Sequence, residues 1–229
     1  MKHFKESDMY APLKAYFEGL GYEVKGEVKG LDMALAKDGE LSGIEMKKSF
    51  NMTLIYQALK RQGAVAAVFV AVPRLVFARK RGHILHILEK LGLGLVTVAM
   101  DSPAQLVDVV LLPNMVQGRN TKASRALIAE FNGRNFNDNV GGSAGVKLMT
   151  AHREKSLQIA CALEKLGQSS PAVLVRDFGC PANTRSILYS NSYGWFENVS
   201  KGVYALSPQG EQALQDPAFA RVVGFYGGS

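Results

Sequence analysis

Met9, Leu13, Phe17 and Leu20, with Tyr16 beside them, recur every three to four positions and predict a helix that Gly21 ends. Pro12 falls in its first turn, where a missing amide hydrogen is tolerated. The pattern then becomes extended over 22–29, 32–37 and 41–47, with Asp38-Gly39 as a two-residue hairpin signal between the last two. A second helix is expected over 52–62, burying Met52, Ile55, Leu59 and Ala58 and stopping at Gly63. The nine apolar residues 64–72 read as a buried strand, followed by a helix over 80–91 and strands over 95–99 and 106–112. A hairpin followed by a strand reached through a helical crossover makes this an α/β domain with a mixed sheet.

After a polar stretch the pattern turns helical, with helices expected over 153–166, 170–178 and 183–189. Ser170-Pro171 opens the second of these with a cap and a favoured first-turn proline, and Gly179-Cys180-Pro181 ends it. The aromatic segment 194–206, turning at Lys201-Gly202, reads as a β-hairpin, and Ser207-Pro208 opens a final helix. Three helices, a hairpin and a helix is the order of a winged helix-turn-helix. The boundaries read as an α/β domain over 1–117, a basic connector over 118–151 and a mainly α winged-helix domain over 152–229.

Composition narrows the classes. The 229 residues are 47% hydrophobic and 21% charged, enough to build a core. The start of the chain carries no apolar stretch that could act as a signal, and the longest apolar run is far shorter than the roughly 20 residues of a membrane helix. Two cysteines, Cys161 and Cys180, make neither a disulfide framework nor a zinc set, and the four histidines offer only the His83/His86 pair. A cytoplasmic, non-membrane protein is the expectation. The net charge is +7, and residues 118–155 carry seven basic against three acidic side chains while 156–229 balance five against five. A basic connector suits a polyanion, because each Lys or Arg near a phosphate releases a counterion. It is equally the composition of a solvated linker.

The hairpin carries the chemistry. With Asp38 and Gly39 as the central turn residues, Lys37 pairs with Glu40, and Asp32 falls opposite Glu45. Like charges directly opposed across two strands repel unless something neutralises them, and a divalent cation does so. Lys47 shares the face of Glu45, one pleat further on. That face otherwise holds Ala34, Ala36 and Gly43, small enough to leave room for a ligand, while Met33, Leu35, Ile44 and Met46 face a core. Two carboxylates hold a hard cation such as Mg2+ or Mn2+ and leave positions for water and a phosphate oxygen, and a neighbouring ammonium stabilises developing charge. Metal-assisted phosphodiester hydrolysis fits this set. The bland reading makes Asp32 a turn residue and Glu45 and Lys47 ordinary strand residues.

The helix, the segment Gly26-Glu27-Val28-Lys29-Gly30-Leu31-Asp32, the hairpin, Glu45-Met46-Lys47 and a following helix together resemble the PD-(D/E)XK nuclease superfamily, whose core is restriction-endonuclease-like. More narrowly, the chain resembles an uncharacterised bacterial family of PD-(D/E)XK-type phosphodiesterases, from Glu6-Ser7-Asp8-Met9-Tyr10 to Ser192-Tyr193-Gly194-Trp195-Phe196 and Gly202-Val203-Tyr204-Ala205-Leu206. The motif's leading proline is absent, since Leu31 precedes Asp32. The resemblance implies that Asp32 and Glu45 are metal ligands, Lys47 the catalytic lysine and Glu6 an additional acid. It also allows a homodimer.

Gln57 and Arg61 point the same way from the helix over 52–62, and a glutamine at a related place in relatives of this superfamily makes Gln57 a candidate to orient the lysine or a phosphate. A solvated helix face competes with that reading for both residues. Arg79-Lys80-Arg81 either grips a backbone phosphate or is an exposed helix start. In the second domain Asn183, Thr184, Arg185 and Ser186 would read DNA, with Arg185 the leading substrate contact, but the absence of net positive charge over 156–229 leaves protein–protein use of the same fold as its competitor. The aromatics of the hairpin read as core. The expected function is a metal-dependent nuclease acting on nucleic acid, DNA first. Its competitors are a non-catalytic winged-helix DNA-binding regulator on a nuclease-like scaffold and an enzyme acting on a small phosphodiester.

Overall fold

The structure, a computed structural model, describes residues 4–114, 121–137, 139–142 and 147–228. His3, Arg119, Asp138 and Ser143, which entered the histidine, charge and glycine-serine readings, lie outside the described residues. The chain divides into two compact units, Met1–Leu148 and Met149–Ser229.

The first unit is built on a six-stranded sheet in chain order: β1 (Glu23–Val28), β2 (Leu31–Lys37), β3 (Glu40–Met46), β4 (Val68–Pro73), β5 (Gly94–Val98) and β6 (Val107–Leu111). The first three strands and the last pair run antiparallel, whereas β3, β4 and β5 are parallel, so the sheet is mixed as expected. Asp38 and Gly39 both take positive φ, 51° and 78°, which is what a two-residue turn matched to strand twist requires. The register they set runs unbroken from Lys37↔Glu40 to Met33↔Ile44. Glu45 continues this register toward Asp32.

Each face of the sheet is covered. On one, Met9, Leu13 and Phe17 of α1 (Tyr10–Gly19) and the preceding 3₁₀ turn (Glu6–Met9) pack on Met33, Leu35, Ile44 and Met46. On the other, Leu54, Ile55 and Ala58 of α2 (Met52–Gln62) meet Ala34, Val68 and Val70. Two more helices, α3 (Arg74–Arg79) and α4 (Arg81–Leu91), connect β4 to β5.

Four details correct the sequence reading. Residues 64–67 are buried but precede the strand, because Ala64 and Val65 turn their amides back onto the Arg61 carbonyl at the end of α2. Helix α3 was not anticipated. Met52 is 78% exposed and Leu59 37%, since α2 is rotated to bury 54 and 58, the positions that share a face with Arg61. Ala34 and Gly43 leave no ligand space, because a Cβ on Gly43 would stand 3.0 Å from both Leu31 methyl carbons.

The stretch expected as a connector belongs, from 121 to 142, to the first unit. In α5 (Thr121–Asn132), Leu127 and Phe131 join the core. Lys25, itself buried, donates to the carbonyls of Phe131 (2.7 Å) and Arg134 (3.1 Å), closing the C-terminal end of that helix with a cation. Arg134 is buried too and donates to the Gly26 carbonyl at 3.1 Å. Part of the basic excess is thus spent inside the fold.

The second unit contains α6 (Ala151–Leu166), α7 (Pro171–Phe178), α8 (Thr184–Ser190), a hairpin of β7 (Phe196–Ser200) and β8 (Val203–Leu206), α9 (Pro208–Leu214) and α10 (Ala220–Gly227). Ser170 and Ser207 cap α7 and α9 through Val173 and Gly210 amides, each with proline next. Trp195, Phe196 and Tyr204 are buried, as are Leu157, Leu174, Ile187 and Val222, and Tyr193 stacks on Trp195 with ring centroids 4.6 Å apart. Ser169 exchanges two 2.9 Å backbone hydrogen bonds with Tyr204, an isolated antiparallel bridge beside the hairpin. Helix α10 was not separated from the final helix by the sequence pattern. Among the described residues, no helix is long and apolar enough to cross a membrane.

Candidate active site

Strands β2 and β3 bring Asp32 and Glu45 together at the end of their shared ladder, beyond the Met33↔Ile44 pair. Asp32 is partly buried and its Oδ2 accepts the Met46 amide hydrogen at 2.8 Å, which fixes the carboxylate against β3. Glu45 is completely buried. Its Oε1 accepts from Arg61 Nε at 2.7 Å, while its Oε2 is buried with no donor. The rest of the Arg61 guanidinium binds the carbonyls of Lys29 and Gly30, so one side chain ties α2, β3 and the β1–β2 turn together.

Burial raises both carboxyl pKa values. For Asp32 desolvation dominates, opposed by the Met46 amide, the Lys47 charge and a hydrogen bond with the Glu45 carboxyl, with Glu6 adding to the rise. Glu45 is pushed up to about 7, first by desolvation and then by the Asp32 charge, against the pull of Arg61. Two neighbouring acids that resist ionisation leave Glu45 Oε2 without a donor once both are charged, which is the demand a divalent cation meets. The donor set is two carboxylates with oxygen ligands only, which fits Mg2+ or Mn2+ and not a soft metal. Among the described residues no group of three His, Cys, Asp or Glu gathers as a ligand set.

Lys47 follows one residue past the end of β3, where its amide still donates to the Ala71 carbonyl at 3.0 Å. Its Nζ lies 3.2 Å from Oε2 of Glu6, both side chains about a quarter exposed. Glu6, expected as a further acid, is therefore placed as the carboxylate that holds the lysine. Arg61, expected to contact substrate, is engaged with Glu45. Gln57, one helical turn earlier, has a buried amide oxygen with no hydrogen-bond partner. In the second unit Arg185 is exposed on α8, beside Asn183 and Ser186.

The sequence reading missed the segment 139–142. A Cβ on Gly141 would collide with the Asp32 carbonyl oxygen, and one on Gly142 would stand 3.5 Å from both the Ser7 amide nitrogen and Met46 Cε. Gly142 also donates to Glu27 Oε1 at 2.8 Å. The glycine pair was the available signal, but it reads equally well as mobile chain. Gly141→Ala is expected to destabilise the protein by about 1–3 kcal/mol, as overpacking does. Denaturant unfolding that matches wild type would show that the segment does not brace Asp32.

A mixed six-stranded sheet covered by helices on both faces, bringing two acids of adjacent strands near a lysine two residues beyond the second, fits a nuclease-like core. Residues 96–213 match the family described as "Putative PD-(D/E)XK phosphodiesterase (DUF2161)", and the chain belongs to that family. No curated protein and no solved structure matches it. The matched stretch runs from β5 into α9, spans parts of both units and begins after Lys47, so it does not include Asp32, Glu45 or Lys47.

Proposed function

We propose that the protein is a metal-dependent nuclease, with Asp32 and Glu45 as the cation ligands, Lys47 as the catalytic lysine and DNA as the first substrate. The observation that carries this reading is the unpartnered, buried Oε2 of Glu45 beside a second carboxylate. A purely structural scaffold would be more stable with one of the two acids replaced, so the presence of both speaks for use. A divalent cation bound there would polarise a phosphoryl oxygen and make a water a stronger acid. Arg61 holds Glu45 in a single orientation, and the Met46 amide does the same for Asp32, so the ligands are arranged before substrate arrives. Lys47, steadied by Glu6, offers a proton donor and a positive charge to the developing oxyanion.

In this reading the first unit, including α5 and 139–142, is the catalytic domain. The second is a winged helix-turn-helix that holds nucleic acid. Thr184, expected among the DNA readers, is fully buried instead and anchors α8 with Ile187 and Leu188, while Asn183, Arg185 and Ser186 stay exposed, as a recognition helix requires, and Lys201-Gly202 forms the tip of the wing.

Purified protein incubated with supercoiled, linear, single-stranded and branched DNA and with RNA tests the proposal, in Mg2+, Mn2+ or chelator. Cleavage is expected only with the metals, and Lys47→Ala is expected to lower the rate by about 10²-fold or more. Cleavage in chelator, or an unimpaired Lys47→Ala enzyme, overturns the site. Sequence-independent binding without cutting would favour the regulator.

A further inference from the structure

A groove of about 850 Å³ opens at the C-terminal ends of the parallel strands β4 and β5, where Pro73 pairs with Val98. It shares two chain segments with the proposed catalytic site. Phe4 and Asp8 of its wall flank Glu6, and Lys48 directly follows Lys47. Its size falls within the range of small-ligand sites.

Its wall and rim differ in chemistry. Phe4, Leu75, Val76 and Met100 give it an apolar interior. Of the acids, Asp8 accepts the Lys5 amide and Asp101 lies 3.8 Å from Arg74. Lys48 and Arg79 are exposed on the rim, and neither meets a carboxylate among the described residues. An apolar hollow bordered by two uncommitted cations suits a flat base with a phosphate attached. A base stacked inside a duplex presents only its edge and cannot enter.

Resting on the nuclease reading, we infer that this groove receives one unstacked nucleotide of the strand being cut, its base against Phe4, Leu75 and Met100 and its phosphate on Lys48 and Arg79. The substrate is therefore unpaired next to the scissile bond, as in a single strand, a frayed end or a branch point. Unstacking a base costs a few kcal/mol in a duplex and little in a single strand, which turns the groove into a selector for strand state.

Binding in chelator separates this claim from catalysis. The full chain is titrated, by fluorescence anisotropy at fixed salt, against labelled ten-residue single strands of DNA and RNA and a blunt DNA duplex, with a mononucleotide as competitor. Lys48→Glu/Arg79→Glu is expected to weaken single-strand binding at least about tenfold while changing duplex binding far less, with an unaltered melting curve. Single strands carrying 4-thiothymidine are expected to crosslink within residues 73–79 or 100–105. Unchanged single-strand affinity in the double variant, equal loss on duplex, or crosslinks confined to other segments overturns the groove. Full competition by the mononucleotide at equal concentration would assign it to a free nucleotide instead and overturn the strand claim. Loss of metal-dependent cutting with these binding results intact would remove the nuclease reading alone, whereas normal cutting with a failed binding test would remove the groove alone.

Discussion

Asp32→Asn is expected to abolish cleavage and, in the same protein, to raise the melting temperature measured in chelator. The activity loss should reach about 10³-fold or more, the scale of several kcal/mol of lost transition-state stabilisation. The gain in stability has a separate origin. Asparagine keeps an oxygen for the Met46 amide and adds an N–H that can reach the orphaned Oε2 of Glu45, while removing the charge that repels it. The pH dependence follows from the direction of the shift. Glu45 titrates at about 7 when folded, above the unfolded value near 4.3, so its ionisation penalty is absent at low pH and complete above about 7. The variant's advantage should be clear at pH 8 and shrink toward pH 5. Mg2+ should raise the melting temperature of wild type by selective binding to the folded state and leave Asp32→Asn unmoved. A variant less stable than wild type at pH 8, or an equal Mg2+ shift in both, would show that the two acids are not a strained pair awaiting a cation.

The part of this site visible in the sequence is the part fixed by local geometry. Asp38-Gly39 admits one turn type, the turn fixes the register, and the register places Asp32 against Glu45 without any knowledge of the rest of the chain. The caps Ser170 and Ser207 with their prolines marked the starts of α7 and α9 in the same local way. What was hidden depends on contacts distant in sequence. The apolar positions of α2 allow two overlapping stripes, and the one buried through Leu54 and Ala58 is the one that sets Arg61 against Glu45 and leaves Met52 and Tyr56 in solvent. Gly141 and Gly142 look like loose chain until Asp32 is found against the first and Glu6 against the second. Arg134 counts as surface charge until Gly26 and Glu130 are found beside it in the interior. A pattern read along the chain records which residues are small, basic or apolar, but it cannot record which of them have been brought against the same neighbour.

Arg61→Met should be the most destabilising single change at the site. The methionine keeps most of the volume of the arginine stem but leaves Glu45 fully buried with no cation, next to Asp32, and removing one partner of a buried ion pair costs about 3–5 kcal/mol. The guanidinium also ties down the carbonyls of Lys29 and Gly30, so the loss has two sources that must be separated. A double-mutant cycle with Glu45→Gln does this. If the ion pair dominates, Arg61→Met should cost less than half as much in the Glu45→Gln background, and its cost in wild type should fall between pH 8 and pH 5 as Glu45 takes up a proton. Chemical denaturation in chelator at the two pH values supplies all the numbers needed. An equal, pH-independent cost in both backgrounds would mean that Arg61 acts through the β1–β2 turn alone. Glu45 would then tolerate burial without its arginine, and the case that this acid is held in readiness for a divalent cation would lose its energetic foundation.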